Sequence, residues 1–289
     1  MRLAAALLLV PALTGCGALA DSGSGVEVAA GFYPLQYVAE RVAGDDARVE
    51  VLTQPGGEPH DATLSVRETA LVAEADVVVV AGGVQPAVDD AVTNAAEQAT
   101  IVDTSSPGFE TRDAPAIRPD DPHFWLDPLL MADLGDEVAE ALVDADPDHA
   151  DAYRDNAAEL RRDLQRLDQS FADGLADCER STVVVSHDAF GYLDRYGLEF
   201  APIAGLSPGA EPTPADLSRL QDLIRAEGIT TVFSERLVSP RVSETLADDL
   251  DIRTAVLDPV EGLSDETRDE DYLSLMRANL AALQKANDC

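Results

Sequence analysis

The chain of 289 residues is poor in the side chains that most often carry chemistry. It contains four histidines, three cysteines and one tryptophan, and aromatic residues make up only 5% of it. Hydrophobic residues still reach 46%, so the composition predicts a globular protein and excludes an intrinsically disordered one. A place where the scarce residues collect is therefore a candidate functional site.

Basic residues are also scarce. Lys and Arg number 20 against 55 Asp and Glu, which gives a formal net charge of −35. Nucleic acid and anionic membrane surfaces would be repelled by such a chain, which excludes them as charge-driven partners. A cation is the natural ligand, although solubility in a salty or extracellular setting is the simpler account of the charge.

The apolar run near the start of the chain is too short to cross a bilayer. Met1-Arg2 is followed by apolar residues from Leu3 to Leu13 and then by Leu13-Thr14-Gly15-Cys16. This stretch resembles a bacterial lipoprotein signal peptide with its lipobox; the alternative is an ordinary signal peptide with a coincidental cysteine. The resemblance implies that residues 1–15 are removed, that Cys16 is lipidated, and that residues 16–25 form a flexible tether. We therefore expect an extracytoplasmic protein anchored to the cell membrane by lipid on Cys16.

Cys178 and Cys289 are the two cysteines that remain. Outside the cytoplasm such a pair is expected to form a disulfide. Metal ligation is the alternative, but neither cysteine has a CxxC partner or a nearby histidine.

Strand and helix patterns alternate along the rest of the chain, with continuous apolar runs such as Asp76–Ala81 and Thr182–Ser186. This rhythm predicts an α/β fold of two doubly wound lobes with parallel-rich sheets, at 26–146 and 178–289. Between them, residues 147–177 predict one long helix that joins the lobes. Its apolar stripe repeats in steps of three and four: Tyr153, Ala157, Leu160, Leu164, Leu167, Phe171 and Leu175.

Three of the four histidines follow a predicted strand or lie in a stiff loop. His60 and His187 come after strands, and His123 lies in Asp121-Pro122-His123-Phe124-Trp125-Leu126-Asp127-Pro128, beside the only tryptophan. Asp258 follows a strand in the second lobe. Open α/β sheets bind ligands at the carboxyl ends of their strands, so we expect these four side chains to meet in the cleft between the lobes and to bind Zn²⁺. His149, at an acidic helix start, is interpreted as a solvated residue.

Five segments resemble the zinc- and manganese-binding solute-binding lipoproteins of bacterial ABC importers. They are Phe32-Tyr33-Pro34-Leu35, Gly57-Glu58-Pro59-His60-Asp61, the Asp121–Pro128 segment, Val185-Ser186-His187-Asp188-Ala189-Phe190-Gly191-Tyr192, and Leu257-Asp258-Pro259. The resemblance implies two α/β lobes joined by a rigid helix, with His60, His123, His187 and Asp258 as metal ligands. It further implies that the protein is not an enzyme, that metal is delivered to an ABC transporter permease and its ATPase, and that the protein acts as a monomer.

The resemblance also bears on which metal is bound. Manganese members typically have Glu where this chain has His187, so Zn²⁺ is expected, with Mn²⁺ as the alternative. The segment Ser105–Asp120 lacks the histidines that zinc members often carry before the second ligand. Glu58 is an alternative fourth ligand, and Glu235 is expected to accept a hydrogen bond from a ligand histidine.

Two readings from other classes remain open. A zinc-dependent hydrolase would need an open coordination position and a general base, for which Glu58 or Glu235 are available. A cell-adhesion lipoprotein, an adhesin, would not require the ligands to be intact.

Overall fold

The computed structural model describes residues 25–289 except 97, 113, 115, 116 and 119. The predicted signal peptide, Cys16 and nearly all of the predicted tether lie outside the described residues. Within the part that the structure describes, no helix is both long enough and apolar enough to cross a bilayer.

The first lobe is built on a four-stranded parallel sheet with the order β2-β1-β3-β4. Its strands are β1 (Val26–Ala30), β2 (Ala47–Val51), β3 (Val77–Val80) and β4 (Thr100–Asp103), and its helices are α1 (Tyr33–Ala43), α2 (Val66–Glu74) and α3 (Pro86–Ala95). All four valines of β3 are buried, because helices cover both faces of the sheet. Ser65 and Glu68 form a capping box at the start of α2.

The second lobe repeats this architecture with the strand order β6-β5-β7-β8, again all parallel. Its elements are β5 (Thr182–Val185), β6 (Glu199–Pro202), α6 (Pro214–Glu227), β7 (Thr231–Ser234), α7 (Arg241–Leu250), β8 (Arg253–Val256) and α8 (Tyr272–Asn287). The predicted pair of parallel α/β lobes is therefore confirmed.

Two helices connect the lobes: α4 (Pro128–Ala145) and the long α5 (Ala150–Leu175), with a short 3-10 turn at Pro147–His149 between them. At 26 residues, α5 is about 39 Å long. Every residue of its predicted apolar stripe is buried. The stripe packs against α1, α4 and α8, so one helix serves the cores of both lobes.

The main hydrophobic core is continuous from one lobe to the other. It runs from β1 and α1 through Trp125 and Leu164 to β5 and α8. Smaller clusters cover the opposite faces of the two sheets, under α2 and α3 and under α6 and α7. A disulfide between Cys178 and Cys289 joins the segment after α5 to the end of the chain.

The segment after His187 forms a 3-10 helix, from Phe190 to Tyr196. The segment is short and contains Gly191, whose low helix propensity removes any local preference for the α form. Burial of Phe190, Tyr192, Leu193 and Tyr196 holds it in place instead.

Candidate metal centre

The candidate metal centre lies where loops from both lobes converge. His60 is in a short 3-10 turn (Pro59–Asp61) in the loop after β2, and His123 precedes a second such turn (Phe124–Leu126) between β4 and α4. His187 follows β5, and Glu261 lies in the loop after β8. All these loops leave the carboxyl side of a strand, the edge at which open α/β sheets bind ligands.

Four donor groups meet there: His60, His123, His187 and Glu261, whose ligand atoms all lie within 4.8 Å of one another. Glu261 Oε1 is 3.6 Å from His60 Nε2, 3.6 Å from His123 Nε2 and 3.7 Å from His187 Nε2. Zinc bonds of about 2.0–2.2 Å in a tetrahedron would separate their donor atoms by about 3.3–3.6 Å. The group is thus close to the size that a tetrahedral zinc ion needs.

The fold leaves these same four atoms without hydrogen-bond partners in the part of the chain that the structure describes. The Nε2 atoms of the three histidines and Glu261 Oε1 are buried without a hydrogen-bond partner among the described residues. Buried polar atoms without partners are costly and uncommon. A cation bound between them would satisfy all four at once.

The electrostatics of the site favour a positive charge. Burial by itself would raise the pKa of Glu261, but His187 and His60 lower it to about 2. Burial would lower the pKa of His187, yet the carboxylates of Glu235 and Glu261 raise it to about 10. The pKa of His60 is raised against the effect of burial by Glu261. The raised pKa of His187 therefore favours a protonated imidazole in the metal-free protein, so the site stabilises a positive charge.

Two of the histidines contact a carboxylate through Nδ1, the ring nitrogen that points away from the centre. Asp121 Oδ1 is 2.8 Å from His123 Nδ1, and Glu235 Oε1 is 2.6 Å from His187 Nδ1. If each Nδ1 carries the proton and donates it to its carboxylate, each Nε2 presents its lone pair to the centre. Glu235 thus contacts one histidine of the group and Asp121 contacts another, and the role of Glu235 in orienting a ligand stays a prediction.

Asp258 is not part of the four-residue group among the described residues, and this corrects the expectation that it would supply the carboxylate of the centre. Its Oδ1 accepts a hydrogen bond from Val260 N at 2.8 Å, and its Oδ2 lies 3.2 Å from Arg236 Nε. Burial raises the pKa of Asp258 to about 6, although Val260 N and Arg236 act in the opposite direction. Both oxygens are turned toward the protein, and Glu261 reaches the histidines instead.

Glu58, the alternative fourth ligand, has a different place. Its two oxygens accept hydrogen bonds from the backbone N–H groups of His60 and Asp61, at 3.2 and 3.1 Å. It caps the turn that carries His60 and is absent from the group of converging donors in the described chain. Burial raises its pKa despite the hydrogen bond from His60 N.

The four donors of the centre differ in their exposure. The side chain of His60 is 12% exposed, whereas those of His123, His187 and Glu261 are exposed by at most 2%. A cavity of about 660 Å³ opens on the His60 side and is lined also by Thr104, Ser105, Arg118 and Phe124. His60 is therefore the donor with the most contact with solvent.

Reasoning from the sequence missed two residues of this arrangement, Glu261 and Asp121. Asp121 stands two positions before His123, a spacing at which a carboxylate can reach back to the ring, and that signal was available. Glu261 stands three positions after Asp258 in the same loop, and no pattern in the sequence distinguishes the two carboxylates.

Parallel α/β lobes joined by a long helix, with a closed group of three histidines and a carboxylate between them, define a two-lobed metal-binding protein. Over residues 28–286 the chain matches the family model described as zinc-uptake complex component A, periplasmic. The chain belongs to this family of zinc-uptake proteins.

Individual proteins that are similar to this chain also have names that refer to zinc. The high-affinity zinc uptake system protein ZnuA of Bacillus subtilis (strain 168) is 30% identical over 305 residues, which cover 98% of this chain and 95% of the relative. The zinc-binding lipoprotein AdcA of Streptococcus pneumoniae serotype 4 is 31% identical over 96% of this chain, but the chain spans only 58% of that relative's length. A solved structure of Zn(II)-bound AdcA from the same species matches with a TM-score of 0.78 at 31% identity, covering 92% of this chain and 58% of the other.

A third relative is similar along its whole length. The solved structure of the laminin-binding protein Lmb of Streptococcus agalactiae, described as a bifunctional protein with adhesin and metal transporting activity, matches with a TM-score of 0.80 at 27% identity. The match covers 91% of this chain and 99% of that one.

Proposed function

We propose that this protein captures Zn²⁺ outside the cytoplasm with His60, His123, His187 and Glu261 and delivers it to an ABC importer. The observation that carries the proposal is the convergence of four buried, unpartnered donor atoms within 4.8 Å of one another. Zinc is the cargo and not a resident cofactor, so the site must both bind and release it. Membership of the zinc-uptake family supports the same function.

The donor set supports zinc over manganese. Three imidazole nitrogens and one carboxylate oxygen suit a four-coordinate, tetrahedral Zn²⁺, whereas Mn²⁺ prefers more oxygen ligands and a higher coordination number. The spacing of the donors is that of a small tetrahedral group. Mn²⁺ remains the competing ion against which the site has to be tested.

The closed donor group argues against hydrolysis at the same site. A catalytic zinc keeps a coordination position open for water and needs a general base beside it. Here four protein donors converge, which is enough for a four-coordinate zinc. Glu235 contacts His187 Nδ1, and Glu58 caps the turn that carries His60, so both carboxylates already have partners.

Attachment to the membrane by lipid on Cys16 completes the proposal. It rests on the Leu13-Thr14-Gly15-Cys16 motif and is supported by the lipoprotein name of the pneumococcal relative. Mass spectrometry of the protein isolated from membranes tests it: a diacylglycerol-modified peptide beginning at Cys16 is expected, and an intact peptide spanning residues 13–17 would contradict it.

Metal analysis of the purified chain from residue 17 onward tests the central claim. We expect one Zn²⁺ per chain and a preference for Zn²⁺ when Zn²⁺ and Mn²⁺ compete at equal free concentrations. Binding of Mn²⁺ alone, or hydrolysis of ester or peptide substrates that depends on added Zn²⁺, would overturn the assignment.

Adhesion is a second candidate activity, and the likeness to the bifunctional Lmb structure favours it. Surface immobilisation of the chain and measurement of laminin binding, with and without Zn²⁺, tests it. Saturable binding would support adhesion, and binding no stronger than that of an unrelated acidic protein would remove it.

A further inference from the structure

The loop that presents Glu261 contains an unusual backbone conformation. Val260, immediately before Glu261, has a φ of +59° and is completely buried. This left-handed region is rarely populated by β-branched residues, because Cβ approaches the backbone carbonyl. Something in the surroundings must hold Val260 in this conformation.

Asp258 contacts the backbone N–H of Val260. Its Oδ1 accepts the hydrogen bond from Val260 N at 2.8 Å across a two-residue turn. The backbone of Asp258 is itself fixed by Asn279 of α8, which accepts from Asp258 N at 2.8 Å and donates to Asp258 O at 2.6 Å. The carboxylate is therefore anchored before it reaches Val260.

Arg236 fixes the other oxygen of the same carboxylate. Its Nε lies 3.2 Å from Asp258 Oδ2, which has no hydrogen bond of its own. Arg236 directly follows Glu235, whose Oε1 contacts His187 Nδ1. Two consecutive residues after β7 thus contact His187 of the centre and Asp258 beside the centre.

We propose that Asp258 is a positioning residue: by holding Val260 in the left-handed conformation, it places Glu261 Oε1 between the three histidines. The proposal rests on the zinc-binding function proposed above and deepens it. Asp258 does not touch the metal. Its carboxylate acts instead through the backbone of the turn, three residues before the ligand Glu261. The ion pair with Arg236 keeps this carboxylate in place.

Three variants separate this role from a general structural one. In Asp258→Ala the acceptor for Val260 N is lost, and zinc affinity is expected to fall by about 10–100-fold, as for other outer-shell partners of a metal ligand. In Asp258→Asn the side-chain oxygen still accepts from Val260 N, so most of the affinity should return. In the double variant Asp258→Ala/Val260→Gly, glycine adopts the positive φ without steric cost, so the affinity should recover in part.

The readouts are competition with a zinc chelator and the visible spectrum of the Co²⁺-substituted protein, which reports the coordination of the ion. Asp258→Ala should change the Co²⁺ spectrum, and Asp258→Asn should restore it. Asp265→Ala, an exposed aspartate in the same loop, is the matched control and should behave as wild type. Circular dichroism of each metal-free variant checks that it is folded.

The outcomes are distinct. If wild-type protein does not bind Zn²⁺, the proposed function fails and the role of Asp258 with it. If wild type binds and Asp258→Ala binds equally well with the same Co²⁺ spectrum, only the positioning role is overturned. Suppose that Asp258→Asn binds zinc as weakly as Asp258→Ala and that the double variant Asp258→Ala/Val260→Gly recovers no affinity. The hydrogen bond to Val260 N is then not what places Glu261, and the proposal is likewise overturned.

Discussion

Trp125 Nε1 donates a hydrogen bond to the carbonyl oxygen of Pro259 at 2.7 Å. This contact joins the loop that carries His123 to the turn that carries Glu261, although the two residues are 134 positions apart in the chain. The indole also packs edge-on against His123, with ring centroids 5.1 Å apart. The only tryptophan in the chain thus couples two of the four donors of the candidate metal centre.

Replacing Trp125 with Phe should therefore loosen both loops. The ring's apolar bulk is largely kept, but the buried carbonyl of Pro259 loses its donor, which should cost about 1–3 kcal/mol of unfolding free energy. Urea unfolding of the metal-free protein measures this loss, and a chelator titration should show weaker zinc binding. Tyr153→Phe, which removes a hydroxyl far from the centre that donates to Asp46 O and Asp146, should leave zinc affinity unchanged.

Glu261→Gln tests the assignment of the fourth donor. The amide keeps the size of the side chain but removes the negative charge that the three histidines face, so zinc affinity should fall by more than about 100-fold, beyond the range typical of outer-shell partners. Chelator competition measures the change, with the exposed Glu270→Gln as control. Retention of wild-type affinity would show that Glu261 is not a ligand.

Asp121→Asn and Glu235→Gln should each weaken zinc binding by about 10–100-fold, because a neutral amide accepts more weakly than a carboxylate from the Nδ1–H of His123 and His187 and raises the basicity of the ligand nitrogen less. Isothermal titration calorimetry in competition with a chelator measures this. The neighbouring exposed Asp120→Asn provides the control. Equal affinities for Asp121→Asn and Asp120→Asn would argue that the Asp121 contact has no part in binding.

Zinc affinity should rise with pH. The pKa of His187 is raised to about 10 by Glu235 and Glu261 against the effect of burial, so near neutral pH a proton must leave before a metal binds. Affinity should therefore increase about tenfold per pH unit for each proton displaced, between about pH 6 and 9. Calorimetry in buffers of different ionisation enthalpy counts the protons, and an affinity independent of pH over this range would be inconsistent with the prediction.

The same proton stabilises the metal-free protein, with the opposite dependence on pH. The folded-state pKa of His187 lies above its ordinary value of 6.5, so this contribution is fully present below about pH 6.5 and is lost as the pH rises through about 10. Glu261, with its pKa lowered to about 2, contributes above about pH 4.5 and loses its effect as the pH falls through about 2. Urea midpoints of the metal-free protein across pH should follow these directions.

Removing the disulfide should lower the free energy of unfolding but should have little effect on zinc binding. Cys178 and Cys289 are 111 residues apart, and closing a loop of that length restricts the unfolded chain by about 4–5 kcal/mol in the chain-entropy model. Cys178→Ser/Cys289→Ser should therefore unfold at lower urea concentration yet still bind one Zn²⁺ per chain. Neither cysteine is among the converging donors, so loss of zinc stoichiometry in the folded variant would be unexpected.

The amino-acid sequence by itself determined the fold class and singled out three of the four donors that converge at the candidate metal centre. Alternating apolar runs and capped helices are local signals, and the stripe from Tyr153 to Leu175 is a simple helical period, so the two parallel sheets and the long helix could be predicted. His60, His123 and His187 could be singled out because histidine is rare here and strand ends are where such sheets bind ligands.

Only the tertiary structure decided which carboxylate joins them. Asp258 and Glu261 lie in one loop, and the choice depends on the left-handed Val260 and on contacts from Arg236, Asn279 and Trp125, all distant in the chain. Such contacts form only when both lobes are assembled, and they leave no periodic trace in the sequence. The contact between His187 and Glu235 and the turn that presents Glu261 thus result from packing. The rarity of histidine, and the positions of His60, His123 and His187 after strands or in a stiff loop, can be recognised in the sequence itself.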